Sequence, residues 1–124
     1  SDGISSFPAP FLRTIEEAEQ LKSFHVDKCI LSGAALGKNL ILSSYYESDM
    51  HFQKLAMESA GETILLLEAG KYPEAAVFSV TAATNFDYMV SNVPFKKEDK
   101  ERFAAAGLHL IYVPTGSEEA TDND

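Results

Sequence analysis

The chain has 124 residues, of which 45% are hydrophobic and 23% are charged. This length allows one domain and this composition allows a packed core, so wholesale disorder is excluded. Ten lysines and arginines stand against nineteen aspartates and glutamates, a formal charge of −9. Since nucleic-acid binding depends on clustered cations, this balance argues against DNA binding by this chain. The longest apolar run, residues 63–67, is far shorter than the roughly 20 residues that a membrane helix needs.

Composition divides the chain into three segments. Residues 1–13 contain glycine and prolines without hydrophobic periodicity, which predicts an irregular lead-in. Residues 14–114 alternate helical and strand-like patterns and form the predicted domain. Residues 115–124 are acidic and are predicted to be a disordered tail. The single cysteine, Cys29, permits no internal disulfide and fits a reducing compartment, so we expect a cytoplasmic protein.

Hydrophobic patterning predicts eight main elements in the order helix, strand, helix, strand, strand, strand, helix, strand. The first helix begins at Thr14, where a capping box with Glu17 opens an apolar stripe. The later helices cover residues 48–60 and 96–106, ending at Gly61 and Gly107. The strands cover residues 27–31, 63–67, 77–81, 86–91 and 108–113, with a short extended piece at 40–43. This alternation predicts a three-layer, Rossmann-like α/β fold with a mostly parallel sheet flanked by helices.

Several signatures of catalysis and metal binding are missing from the sequence. The three histidines lack metal-ligand spacing, and no nucleophile elbow, Walker loop or dinucleotide-binding glycine pattern occurs. Cys29 lies inside a predicted strand, where a small core residue is a more frequent role than a nucleophile. We therefore predict no catalytic residue, no metal and no cofactor.

Polar and small residues follow three of the predicted strands. They are Ser32, Gly33 and Ala34 after the first strand, Glu68 to Lys71 after the second, and Asn92 after residues 86–91. Open α/β sheets bind ligands at the carboxyl ends of their strands, so these residues are the candidate ligand site. Lys71 either directs its ammonium at an anion or is a solvated lysine of a turn.

Two further candidates each have a second interpretation. Asn92 either donates to a ligand hydroxyl or satisfies its own loop through an Asx turn. Lys54 lies on a helical stripe with Met50 and Met57. It is either a second cation facing the ligand or a lysine whose stem covers the edge of the core.

The order of these motifs resembles the C-terminal sensor domain of DeoR-type (GlpR-type) bacterial transcription regulators. That family shows an Asp-led strand entering a small-residue loop, a helix with K-x-x-M, a strand ending in D-S-S-K-F, and later I-T-D. The corresponding positions here begin at Asp27, Lys54, Glu68 and Val90. The resemblance extends from about residue 17 to residue 113.

The resemblance implies a fold similar to ribose-5-phosphate isomerase, glucosamine-6-phosphate deaminase and CoA transferases. It further implies a domain that binds a phosphorylated sugar and relays binding to an N-terminal helix-turn-helix. This sequence lacks the helix-turn-helix, and DNA would be bound only through it. Lys71 becomes the foremost candidate for contacting the ligand, with Asn92 and the backbone amides of residues 32–37 beside it. A homo-oligomer without membrane contact is expected.

Departures from the family pattern bear on catalysis. Related isomerases carry an acid in the loop that follows the first strand, whereas this chain has Ala34 and Ala35 there. Because proton transfer needs a positioned base, we expect a sensor and not an enzyme. The alternatives are a small sugar-phosphate isomerase or deaminase, and a structural oligomerisation domain with a vestigial pocket.

Overall fold

A computed structural model describes residues 25–114 of the chain. In chain order its elements are β1 (Val26–Ser32), β2 (Ala35–Leu36), β3 (Ile41–Ser44), α1 (Glu47–Ser59), β4 (Ala60–Leu67), β5 (Phe78–Ala82), β6 (Tyr88–Ser91), α2 (Lys97–Ala105) and β7 (His109–Tyr112). The predicted lead-in, the helix beginning at Thr14 and the acidic tail lie outside the described residues.

A four-stranded parallel sheet organises the molecule. Its strand order is β1-β4-β6-β7, with every neighbouring pair parallel. Parallel neighbours need crossover connections, and α1 and α2 supply two of them. The α/β fold with a parallel sheet flanked by helices is thereby confirmed.

A second sheet was not predicted. Strands β2, β3 and β5 form it, with antiparallel pairing throughout. Residues 35–36, expected in a ligand-binding loop, are instead a fully buried strand of this sheet. The predicted strand at residues 77–81 also belongs to it, as β5, and not to the parallel sheet.

The two glycines expected to end helices behave differently. Gly107 ends α2 with φ of +85°, and the Leu108 N–H donates to the Phe103 carbonyl at 2.9 Å. This is the left-handed cap that glycine favours. After α1, however, Ala60 already has extended backbone with φ of −101° and ψ of 147°. Gly61 lies inside β4, where a Cβ atom would meet the Asp27 carbonyl oxygen at 3.1 Å, so its role is close strand packing.

One hydrophobic core lies between the parallel sheet and the other elements. Alternate residues of β1, β4 and β6 enter it together with side chains of α1, α2, β3 and β5; among them are Leu31, Leu65, Leu67, Met89, Ala56, Phe103, Leu42 and Val80. The side chains between them point to the opposite face, where Ile30 is 60% exposed and Leu66 40% exposed. The period of two along each strand separates these faces.

Candidate functional site

The carboxyl ends of β1, β4 and β6 meet at one edge of the parallel sheet. Ser32 pairs with Leu66, and Leu67 pairs with Ser91, so the three strands end within one residue of each other. The structure thus brings together the small residues after β1, the segment after β4 and Asn92. This is the edge where ligands bind in open parallel sheets.

The loop after β1 is occupied by the core. Gly33 is buried, and a Cβ atom there would meet Leu42 Cδ1 at 2.7 Å and Leu67 Cδ1 at 3.1 Å. Its N–H donates to the Leu66 carbonyl at 3.0 Å, and the Gly37 N–H donates to the Ile41 carbonyl at 3.1 Å. These two amides, expected among the donors to a ligand, are already used. Close approach at Gly33 therefore serves side-chain packing.

The neighbours of Gly33 differ from it in exposure. Ser32 is exposed and its hydroxyl lies at the end of an edge strand, whereas Ala34 is half-buried. Ser32 is accordingly the one polar side chain that this loop adds to the carboxyl edge.

Lys71 lies on a tight turn directly after β4. Residues Ala69–Lys71 form one turn of 3-10 helix, in which the Lys71 N–H donates to the Glu68 carbonyl at 2.9 Å. Both Glu68 and Lys71 are exposed, and no atom beyond the adjacent residues lies within 4 Å of the position of a Cβ atom on Gly70. The turn thus presents an ammonium and a carboxylate to solvent at the carboxyl edge.

Asn92 connects two loops of this edge. Its side-chain oxygen accepts a hydrogen bond from the Ala69 N–H at 2.6 Å. The turn inside its own loop is made by Ser91, whose hydroxyl oxygen accepts from the Val93 N–H at 3.0 Å. The sequence analysis considered such a turn for Asn92, whereas the structure shows it at Ser91.

Lys54 lies apart from these residues. It is exposed on α1 and lines a cavity of about 270 Å³ together with Glu58, Val80 and Asn85. That cavity lies between α1 and the end of β5, whereas the other candidates follow β1, β4 and β6. The structure does not bring Lys54 to the carboxyl edge.

Tyr72 is a neighbour of Lys71 that sequence reasoning did not select. Its ring packs against Phe95 with centroids 5.0 Å apart. The available signal was its position, because the D-S-S-K-F motif of the resembled family also places an aromatic residue directly after the lysine.

Comparison with known families identifies the chain. The profile of the DeoR C terminal sensor domain matches residues 12–93. The chain belongs to this family. No curated protein sequence matches it significantly. DeoR sensor domains are typically non-catalytic parts of regulators and bind small effector metabolites.

The DeoR match includes every candidate residue of the carboxyl edge. It ends at residue 93, directly after Asn92, so α2 and β7 follow the matched part. Within residues 25–114 no three His, Cys, Asp or Glu side chains are grouped as a metal site. No helix in the same range is long and apolar enough to cross a membrane.

Proposed function

We propose that this DeoR sensor domain recognises a phosphorylated sugar at the carboxyl edge of its parallel sheet. Lys71 contacts the phosphate, and Ser32 and Asn92 contact sugar hydroxyls. The observation that carries the proposal is the exposed Lys71 on a short turn where three strand ends meet.

The negative net charge means that an anionic ligand needs a specific local site. The chain carries a formal charge of −9, so its overall field repels anions. Binding therefore needs local donors, and ammonium–phosphate hydrogen bonds are stronger than neutral ones. A lysine whose backbone is held in a tight turn supplies such a donor.

Glu68 and Asn92 fit the sugar part of the ligand. A carboxylate accepts hydrogen bonds from hydroxyls, and an amide both donates and accepts. Glu68 is three residues from Lys71 on the same exposed turn. The turn thus offers a donor for phosphate and an acceptor for hydroxyls side by side.

The biological role is regulation of transcription in the cytoplasm, where sugar phosphates are metabolised. Ligand binding alters the equilibrium between two states of the domain, and a helix-turn-helix of the regulator responds. The size of this response is limited by the difference in ligand affinity between the two states.

Thermal unfolding with and without ligand tests the proposal. The chain is melted alone and with ribose 5-phosphate, glucosamine 6-phosphate, glycerol 3-phosphate or inorganic phosphate. A ligand that binds only the folded state raises Tm; at a concentration of 100 Kd the gain is about 2.7 kcal/mol. We expect at least one phosphorylated sugar to raise Tm and its unphosphorylated parent to have no effect. Equal Tm values throughout the panel contradict sugar-phosphate sensing.

A further inference from the structure

The turn that carries Lys71 is connected to α2 by a side-chain hydrogen bond. The Tyr72 hydroxyl donates to Asp99 Oδ2 at 3.2 Å, across 27 residues of sequence. Asp99 lies in the first turn of α2, outside the part of the chain that the DeoR family matches. Residues 68–73 are called the Lys71 loop below.

The aromatic ring of Tyr72 is held by a row of buried rings. Tyr72 packs on Phe95, and Phe95 packs edge-to-face on Phe103 with centroids 5.1 Å apart. Phe103 is 1% exposed and belongs to α2, so the row runs from the Lys71 loop into the core beneath that helix. Aromatic pairs of this geometry restrict ring movement, so the Tyr72 hydroxyl is held in position toward Asp99.

The burial and position of Asp99 favour a carboxylate that accepts this hydrogen bond. Its side chain is only 15% exposed, whereas its ion-pair partner Arg102 is 56% exposed, with Asp99 Oδ1 and Arg102 Nη1 3.9 Å apart. A carboxylate in the first turn of a helix is favoured by the helix dipole. Burial of the Tyr72 phenol, followed by the Asp99 carboxylate beside it, raises the pKa of Tyr72. The phenol therefore stays protonated and acts as the donor.

The Tyr72–Asp99 hydrogen bond, called the tie below, fixes the residue next to Lys71 in a very short turn. The Tyr72 N–H donates to the Ala69 carbonyl at 3.2 Å, and the Ala69 N–H in turn donates to Asn92 Oδ1. Lys71 thus lies between two anchored residues, Ala69 on the β6 side and Tyr72 on the α2 side. Displacement of the Lys71 backbone therefore requires movement of one anchor.

We infer that Asp99 is a positioning residue for the Lys71 loop, that it acts through Tyr72, and that α2 is the element coupled to effector binding. The inference rests on the proposed function for its effector, but not for the coupling between the loop and the helix. A ligand that displaces Lys71 alters the bond to Asp99 and so the position of α2. Conversely, a contact that moves α2 alters affinity at Lys71, because coupling between two sites is reciprocal.

Amide hydrogen exchange of the whole chain tests the coupling without any ligand. Tyr72→Phe removes the hydroxyl and keeps the ring, and Asp99→Ala removes the acceptor. We expect the amides of Lys71 and Tyr72 to exchange at least about five-fold faster in each variant, as for loss of one hydrogen bond. The double variant should exchange no faster than the single variants, since both substitutions remove the same hydrogen bond.

Two controls separate the tie from general loss of stability. Tyr45→Phe removes a hydroxyl from a ring that is 52% exposed before α1 and should leave the Lys71 loop unchanged. Amides of β4 report global unfolding, in which this hydrogen bond is also lost, so they should accelerate by no more than the factor seen in the Lys71 loop. Asp99→Asn retains an oxygen acceptor and should restore most of the protection lost in Asp99→Ala.

Three results overturn the inference. They are unchanged exchange of the Lys71 loop in Tyr72→Phe, effects of the two substitutions that multiply, and acceleration in β4 that exceeds that of the loop. Binding of ribose 5-phosphate is then measured in parent and Tyr72→Phe, with several-fold weaker binding expected in the variant. If no sugar phosphate binds the parent, the proposed function fails, while the exchange result still decides the coupling.

Discussion

The side-chain oxygen of Asn92 accepts a hydrogen bond from the Ala69 N–H at 2.6 Å and so joins the loops that follow β6 and β4. This bond uses only the oxygen of the amide. The NH₂ group of an asparagine carries two donors of its own. A single residue can therefore hold the two loops together and donate to a ligand hydroxyl. The Asx turn considered for Asn92 within its own loop is a different bond, and Ser91 makes the turn there.

Substitution of Asn92 separates these two roles. In Asn92→Ala the part-buried Ala69 N–H loses its acceptor, and an unsatisfied donor costs about 1–3 kcal/mol of unfolding free energy. Asn92→Asp keeps an oxygen at this position but loses the NH₂ donors. We expect chemical denaturation to show a destabilised Asn92→Ala and a near-parental Asn92→Asp. Parental stability of Asn92→Ala would contradict the structural role.

The same pair of variants shows whether Asn92 contacts the ligand. If Asn92 also donates to the effector, Asn92→Asp should bind a sugar phosphate more weakly despite its parental stability. A carboxylate near the phosphate adds repulsion to the loss of the donor. Calorimetric titration of parent and Asn92→Asp measures this effect, and equal affinities would limit Asn92 to its structural role.

Lys71→Ala should remove the stabilisation by sugar phosphate and leave the free protein nearly unchanged. An exposed turn lysine contributes little packing, whereas a charge-assisted bond to phosphate contributes about 1.5–3 kcal/mol, roughly ten-fold or more in Kd. Lys38→Ala is the matched control, because Lys38 is also an exposed turn lysine but precedes β3. The measurement is the ligand-induced shift in Tm. A Lys71→Ala variant that responds as the parent does identifies Lys71 as an ordinary surface residue.

Local patterns predicted the parallel sheet because each of its strands is a continuous apolar or alternating run. They gave β3 and β5 of the antiparallel sheet as extended segments but not β2, since a strand of two residues has no period to detect. Its partner β3 ends in two buried serines, and these polar residues are explained only by distant partners. Ser43 accepts from the Ala76 N–H at 2.9 Å, and Ser44 donates to Gln53 at 2.8 Å.

The candidate site shows the same division between local and distant information. Lys71 was found from the end of a strand and a family motif, both local signals. The hydrogen bond between Tyr72 and Asp99 spans 27 residues, and the one between Ala69 and Asn92 spans 23. No periodicity relates such pairs, because the fold alone brings them together.

Gly33→Ala should destabilise the protein while Gly70→Ala should not. A methyl group at Gly33 would overlap Leu42 Cδ1 at 2.7 Å, and overpacking of a core costs about 1–3 kcal/mol. At Gly70 no atom beyond the adjacent residues lies within 4 Å of the added carbon, so the change is neutral or slightly stabilising. For a domain of about 100 residues, each kcal/mol corresponds to a Tm change of roughly 4–8 °C. A parental Tm for Gly33→Ala would show that the core relaxes there.

The chain alone should not bind duplex DNA. The formal charge is −9, and α2, the more cationic of the two α-helices within residues 25–114, alternates both signs; its charged residues are Lys97, Lys100 and Arg102 with Glu98, Asp99 and Glu101. Binding to phosphates weakens steeply with salt, so a gel shift at low salt is the most demanding measurement. A salt-sensitive complex at micromolar protein contradicts this prediction.

The chain should also show no turnover of sugar phosphates by isomerisation or deamination. Removal of a proton beside a carbonyl needs a base held within hydrogen-bond reach of the substrate. The loop after β1 presents Ala34 where the related isomerases place an acid, and Glu68 is the carboxylate of the Lys71 loop at this edge. Glu68 projects from an exposed turn, whereas general acid–base catalysis requires a fixed and partly desolvated group. A coupled assay on ribose 5-phosphate and glucosamine 6-phosphate should therefore give the rate of the buffer alone. Turnover that disappears in Glu68→Gln but persists in Glu74→Gln, a change at another exposed glutamate, would assign catalysis to this edge and make the domain an enzyme.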